Sequence, residues 1–253
     1  MRTLAAAFAV LALAMPTRAT AGAFDETERV SRTIPMEPGG TLQLKNFSGR
    51  VTITASERPE IVIDAVRRAP RSRLDRIKLD IHTSGSNLVV VNANQRDSAW
   101  WEFTSGNNVV ETDFDIKVPR QTRLDVNVFS SPVSVSGVEG SHKMHGFSSP
   151  LVLNDVSGSV QAHTFSGPVT IRLKSWQTNE AIDVDTFSGG IELHVPDSAS
   201  ATVSFNSFSG HLNSEMPLTM HSSSRRAIKA QLGAGDGGTL RLKTFSGSVK
   251  IDR

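Results

Sequence analysis

A tripeptide recurs along this chain and sets its period. Phe47-Ser48-Gly49, Phe165-Ser166-Gly167, Phe187-Ser188-Gly189, Phe208-Ser209-Gly210 and Phe245-Ser246-Gly247 are copies of it. Phe129-Ser130-Ser131-Pro132 and Phe147-Ser148-Ser149-Pro150 are Ser-Ser-Pro variants. Weaker copies, Val138-Glu139-Gly140 and Val156-Ser157-Gly158, stand between them. Positions 129, 138, 147, 156 and 165 therefore mark a step of nine, with Phe returning every eighteen. Self-similarity at a fixed period means units that cannot bury an apolar face alone and must stack on their neighbours.

The phase of the apolar residues describes one unit. Val160, Ala162 and Thr164 alternate before Phe165, and Val169, Ile171 and Leu173 alternate after it, as half-buried strands do. Between the two sets the phase reverses, and we place the reversal between Thr164 and Phe165. The same reversal separates Ile182, Val184 and Thr186 from Ile191, Leu193 and Val195, and Leu240, Leu242 and Thr244 from Val249 and Ile251. Ser-Gly suits a corner, because Gly takes unusual dihedrals and Ser bonds its own backbone. Each unit thus reads as strand, corner, strand. The corner residues are Phe47, Gly49, Phe129, Phe147, Phe165, Gly167, Phe187, Gly189, Phe208, Gly210, Phe245 and Gly247. Placed after the reversal, the phenylalanines should point inward and plug the core. An antiparallel meander would also return Phe every eighteen residues. Recurrence of the whole corner favours an elongated all-β solenoid, rung stacked in parallel on the rung before it.

Three regions follow. Residues 1–23 read as a secretory signal: Arg2, then a short apolar run from Leu4 to Met15, then small-residue cleavage sites ending at Ala23. Residues 24–120 form a less regular β region. They contain strands at 51–54, 61–66, 77–82, 88–91 and 109–118, and no amphipathic helix is evident. Residues 121–253 carry the repetitive solenoid, read as continuous with residues 24–120; GGTLQLKNFSGRVTI (39–53) and GGTLRLKTFSGSVKI (237–251) are near copies. Removing the signal deletes Arg2 and Arg18 and no acid, leaving basic and acidic side chains balanced. The basic pI of 9.1 is then no argument for nucleic acid. The chain has no cysteine, hence no disulfide and no lipidated cysteine.

From about Glu111 to Arg253 the chain resembles the bacterial putative-adhesin family, a domain of unknown function built from repeated Ser-Gly-x-Val/Ile corners. The residues that carry the resemblance are DFDIKVPRQTRLDVNVFSSPVSVSGVEG, VSGSV, FSGPVTI, FSGGIEL and GDGGTLRLKTFSGSV; GGTLQLKNFSGRVTI matches the family's opening. The resemblance implies a β-solenoid-like exported protein of the cell envelope. It brings no shared catalytic motif to these positions.

Several constellations are candidate sites. His145 and His163 each stand two residues before a corner Phe, one rung apart, with Asn127 and Asp185 in the equivalent places. In a solenoid these four form an outward polar ladder, which is also what an ordinary solvated strand face looks like. Arg67, Arg68, Arg71, Arg73, Arg76 and Lys78 form a basic cluster that could meet an anionic membrane surface or acidic glycan, or simply protect an edge strand. Trp100, Trp101 and Phe103 suit a core cap or a sugar platform. His142 and His145 lack the cysteine partners of a structural zinc site. Gly233 to Gly238 precedes a strand, so it reads as a turn and not a phosphate loop. Asp183 and Asp185, with Arg172 or Lys174, are the nearest approach to the carboxylate cluster of a carbohydrate-active β-helix.

The reading is an exported, non-catalytic envelope protein in the periplasm or on the cell surface, an adhesin-like scaffold binding a glycan or protein. We expect no metal, no cofactor, no nucleic-acid partner and no membrane-spanning segment after signal removal. The alternatives are an envelope polysaccharide lyase or hydrolase, and an envelope-stress accessory acting through the basic cluster.

Overall fold

The structure is a computed structural model that describes residues 26–85, 87–95, 109–224, 226–234 and 237–253. The signal segment and Trp100, Trp101 and Phe103 lie outside the described residues. Strands β1 (Glu26–Pro35), β2 (Gly40–Ser48), β3 (Val51–Ser56) and β4 (Glu60–Ala69) precede helix α1 (Arg71–Arg76); β5 (Lys78–Thr83), β6 (Leu88–Gln95) and β7 (Glu111–Pro119) follow it. The regular region runs β8 (Thr122–Ser130), β9 (Val133–Ser136), β10 (His142–Gly146), β11 (Leu151–Val156), β12 (Val160–Thr164), β13 (Val169–Leu173), β14 (Ala181–Thr186) and β15 (Ile191–His194). Then come β16 (Ala201–Ser207), β17 (Leu212–Ser214), β18 (Leu218–Ser223), β19 (Ala227–Leu232), β20 (Gly238–Thr244) and β21 (Val249–Asp252).

These strands build an all-β solenoid of two facing sheets. One sheet has the order β1-β4-β7-β3-β9-β11-β13-β15-β21-β17, the other β18-β19-β16-β20-β14-β12-β10-β8-β2-β6-β5. A rung is one strand from each sheet joined by a Phe-Ser corner, and successive rungs pair in parallel. Like residues therefore stand over like. Val51, Val133, Leu151, Val169, Ile191 and Val249 form one inward column of the first sheet, each at most 2% exposed. Burying each such side chain contributes about 1.5–3 kcal/mol.

The rungs do not stack in chain order. The last repeat, β20 and β21, inserts between the β14–β15 rung and the β16–β17 rung. The near-identical first module, β2 and β3, stacks on β8 and β9. Helix α1 is a further departure from the sequence expectation; its one buried residue, Leu74, packs with Ala69, Ile77 and Val110 in a small satellite core.

The main correction concerns the phenylalanines. Phe129, Phe147, Phe165, Phe187, Phe208 and Phe245 do not plug the core; they are 43–52% exposed on the outer surface. The alternation shows why. Thr164 is inward, Phe165 and Ser166 are exposed, and Gly167 and Val169 are inward again. The reversal falls between Ser166 and Gly167, so Phe165 simply continues the outward row of its own strand, two residues beyond His163.

Candidate functional site

The corner holds its shape through short side-chain ties. Thr164 Oγ1 donates to Gly167 O (2.9 Å) and Thr186 Oγ1 to Gly189 O (2.8 Å). In the next rungs the direction reverses: Gly247 N donates to Thr244 Oγ1 (2.8 Å) and Gly210 N to Ser207 Oγ (2.6 Å). At these four corners the Thr or Ser before the Phe is thus turned inward, which turns the Phe outward. Gly167 is required by close approach, not by its dihedrals. A Cβ there would lie 2.3 Å from Ser149 O of the neighbouring rung, and one at Gly189 would lie 2.0 Å from Gly167 O. Where the variant corner has serine instead, Ser149 is buried and its Oγ accepts from Ser131 N (3.0 Å) and donates to Phe129 O (3.2 Å).

Stacking these corners aligns the rings. In spatial order the ladder is Phe47, Phe129, Phe147, Phe165, Phe187, Phe245 and Phe208. Neighbouring centroids are 4.7–5.0 Å apart and ring planes agree within 7°. The spacing is that of hydrogen-bonded strands. At the far end the guanidinium of Arg226 lies 4.3 Å from the Phe208 centroid.

Beside the rings runs the outward polar row. Strand register places Lys45, Asn127, His145, His163, Asp185 and Lys243 on successive rungs, so the four residues Asn127, His145, His163 and Asp185 do align as the spacing implies. The imidazoles of His145 and His163 stack at 5.3 Å. Partial burial, and then the neighbouring His163, hold His145 below its ordinary pKa. Lys243 Nζ pairs with Asp185 Oδ2 at 2.9 Å, and that bond raises the lysine's pKa. Ring row and polar row together line a groove of about 930 Å³. The polar row and the ring positions are each legible in the sequence, but with the rings assigned to the core the groove they share is not.

Other sequence candidates sit elsewhere. Arg67 is 2% exposed, ion-paired with Glu28 and donating to Ile77 O. Arg68 pairs with Asp113 (2.6 Å) and Glu111 (3.3 Å), and Arg71 with Glu26 (3.3 Å) and Asp75 (3.4 Å). Arg73 donates to Val109 O; Arg76 ends α1 and Lys78 opens β5. Arg67, Arg68 and Arg71 are thus paired with acids that β1, β7 and α1 bring against them. Asp183 stands beside Arg241 on the outward face of the second sheet, whereas Arg172 bonds Asn154 of the first sheet and Lys174 pairs with Glu139. The carboxylate cluster imagined for a polysaccharide enzyme is thus not assembled with those cations. His142 is 1% exposed and inward while His145 is outward, so the two cannot share a metal. Among the described residues no group of three or more His, Cys, Asp or Glu is placed to hold a metal ion. Gly235 and Asp236 of the glycine-rich loop lie outside the described residues; Gly238 opens strand β20. No helix of the described residues is long and apolar enough to cross a membrane.

A two-sheet parallel solenoid carrying stacked corner residues defines a repeat scaffold. The chain belongs to the Toastrack DUF4097 family, whose profile matches residues 123–252. Among solved structures it is similar to a putative cell adhesion protein from Clostridium sporogenes, with 12% identity, a TM-score of 0.50, and coverage of 89% of this chain and 99% of that one. It is also similar to a putative adhesin from Bacteroides fragilis, with 11% identity, a TM-score of 0.30, and coverage of 88% and 97%. No curated protein matches it.

Proposed function

We propose that the protein is an exported, non-catalytic scaffold of the cell envelope, adhesin-like, that holds an envelope partner in the groove beside the phenylalanine ladder. The observation that carries this reading is the unbroken row of half-exposed rings. Scattered surface apolar residues need no explanation, but a contiguous apolar strip rimmed by polar residues marks an interaction surface. The partner, a glycan or a protein, must offer apolar surface to such a strip. Export is supported by the signal-like segment at residues 1–23.

The test is binding of labelled protein to isolated envelope fragments. The double variant Phe147→Ser/Phe165→Ser, checked for a cooperative melt, should bind at least about tenfold more weakly. Unchanged binding by the folded variant would remove the groove from the reading. Release of soluble fragments from envelope polysaccharide by the wild-type protein would overturn the non-catalytic assignment.

A further inference from the structure

We propose that the groove holds a single unbranched long-chain amphiphile with an anionic head, its chain along the ring edges and its head at Arg226. This rests on the groove being the binding face and names a small-molecule occupant for it.

The first argument is what the rings expose. With planes within 7° and centroids 4.7–5.0 Å apart, each interior ring is covered by a neighbour on both sides. The outer face of Phe208 is taken by Arg226. From Phe129 to Phe208 the exposed surface is therefore edge. A sugar ring stacks on an open aromatic face, and the interior of this ladder offers none. A hydrocarbon chain needs only apolar surface without direction.

Shape comes next. Six steps of 4.7–5.0 Å make a continuous strip with a contour of roughly 29 Å, one ring wide. Its groove, about 930 Å³, is in the size range of small-molecule sites. A narrow, continuous track fits a linear chain. A bilayer surface would have to enter a groove and desolvate His145, His163 and Asn127 on its polar wall.

Charge selects the head group. The carboxylate in the groove, Asp185, is already paired with Lys243. Arg226 at the Phe208 end and Lys45 at the Phe47 end line the groove, and neither pairs with a carboxylate among the described residues. Arg226 is held over a ring at the end of the strip, where an anionic head would emerge. The same charges disfavour a second copy of this chain. Whichever way a two-fold axis aligned two ladders, cationic ends would meet with no acid between them.

The test is calorimetric titration of the purified protein with monomeric decanoate, laurate and myristate, and with dodecyltrimethylammonium as the equally long cation. Affinity for the acids should rise about two- to fourfold per added methylene, at one per chain. Laurate should bind at least about tenfold tighter than the cation, and Arg226→Gln should erase that preference. Phe165→Ser should weaken every chain. Imidazole NMR signals of His145 and His163 should shift on adding laurate, a readout that needs no variant. Several results would overturn the proposal: no binding of monomeric acids, equal binding of the cation, sedimentation only with phosphatidylglycerol vesicles, or a ladder-dependent dimer. Failure here, with envelope binding still lost in Phe147→Ser/Phe165→Ser, leaves the proposed function standing. Laurate binding with unchanged envelope binding does the reverse.

Discussion

At the scale of single residues, the corner inverts an expectation drawn from hydrophobicity. Phe165 is the largest apolar residue of its unit, yet the small Gly167 is the more constrained. Truncating Phe165 to Ala removes a half-exposed ring and two stacking partners, about 1–2 kcal/mol. Gly167→Ala drives a Cβ into the backbone of the next rung, where nothing can rotate away, and should cost about 3 kcal/mol. His163→Ala should be nearly silent. Thermal melts of the three variants check the order Gly167, Phe165, His163; a larger loss for Phe165 would mean that the rings carry more of the fold than their exposure suggests. His142 supplies a pH-dependent counterpart. It occupies a core column between Leu124 and Val160 and is 1% exposed. Burial pulls its pKa from 6.5 down to about 4, with backbone groups of Ser157 and Val138 only partly offsetting this. Below about pH 6.5 the unfolded chain takes up a proton that the folded chain refuses until about pH 4. Stability should therefore fall as pH drops through that window, by about 3 kcal/mol from this residue. Urea midpoints of the wild type and His142→Leu between pH 7 and pH 4 test it; equal slopes would show that the ring does not stay neutral when folded.

At the scale of elements, strands with one buried face were legible and strands held by backbone alone were not. β12 and β13, or β14 and β15, announce themselves by alternation, because each must turn every second residue inward. β1 is exposed along nearly its whole length, pairs among the described strands only with β4, and leaves no such signature. Helix α1 is too short to show a period. The polar ladder followed from spacing, since equivalent positions on stacked rungs must align. The groove did not, because whether Phe165 faces in or out depends on a one-residue difference in where the phase reverses. Thr164 decides that difference by turning inward to bond Gly167 O. Thr164→Val keeps the shape and loses the bond, and should cost about 1 kcal/mol. A chemical-denaturation comparison measures it; no loss would mean that stacking alone sets the corner.

At the scale of the molecule, the insertion of the last repeat changes what a truncation does. In a solenoid stacked in chain order, deleting the final repeat removes one interface and leaves a shorter stack. Here β20 pairs with both β14 and β16, and β21 with both β15 and β17, so the C-terminal repeat is a middle rung. Periodicity could not reveal this, because near-identical modules are interchangeable as neighbours: Leu240 sits over Ile182 on one side and Val203 on the other. Deleting residues 237–253 should therefore open a gap within the fold. It separates Phe187 from Phe208 in the ring ladder and detaches the Arg226 end of the groove. Hydrogen exchange of the truncated protein should show residues 201–232 losing protection while 122–195 keep theirs. Full protection across 201–232 would mean that the β16–β17 rung has restacked directly on β14 and β15. In that case the inward columns tolerate either neighbour, the ladder closes up by one ring, and the insertion serves the length of the groove more than the stability of the stack.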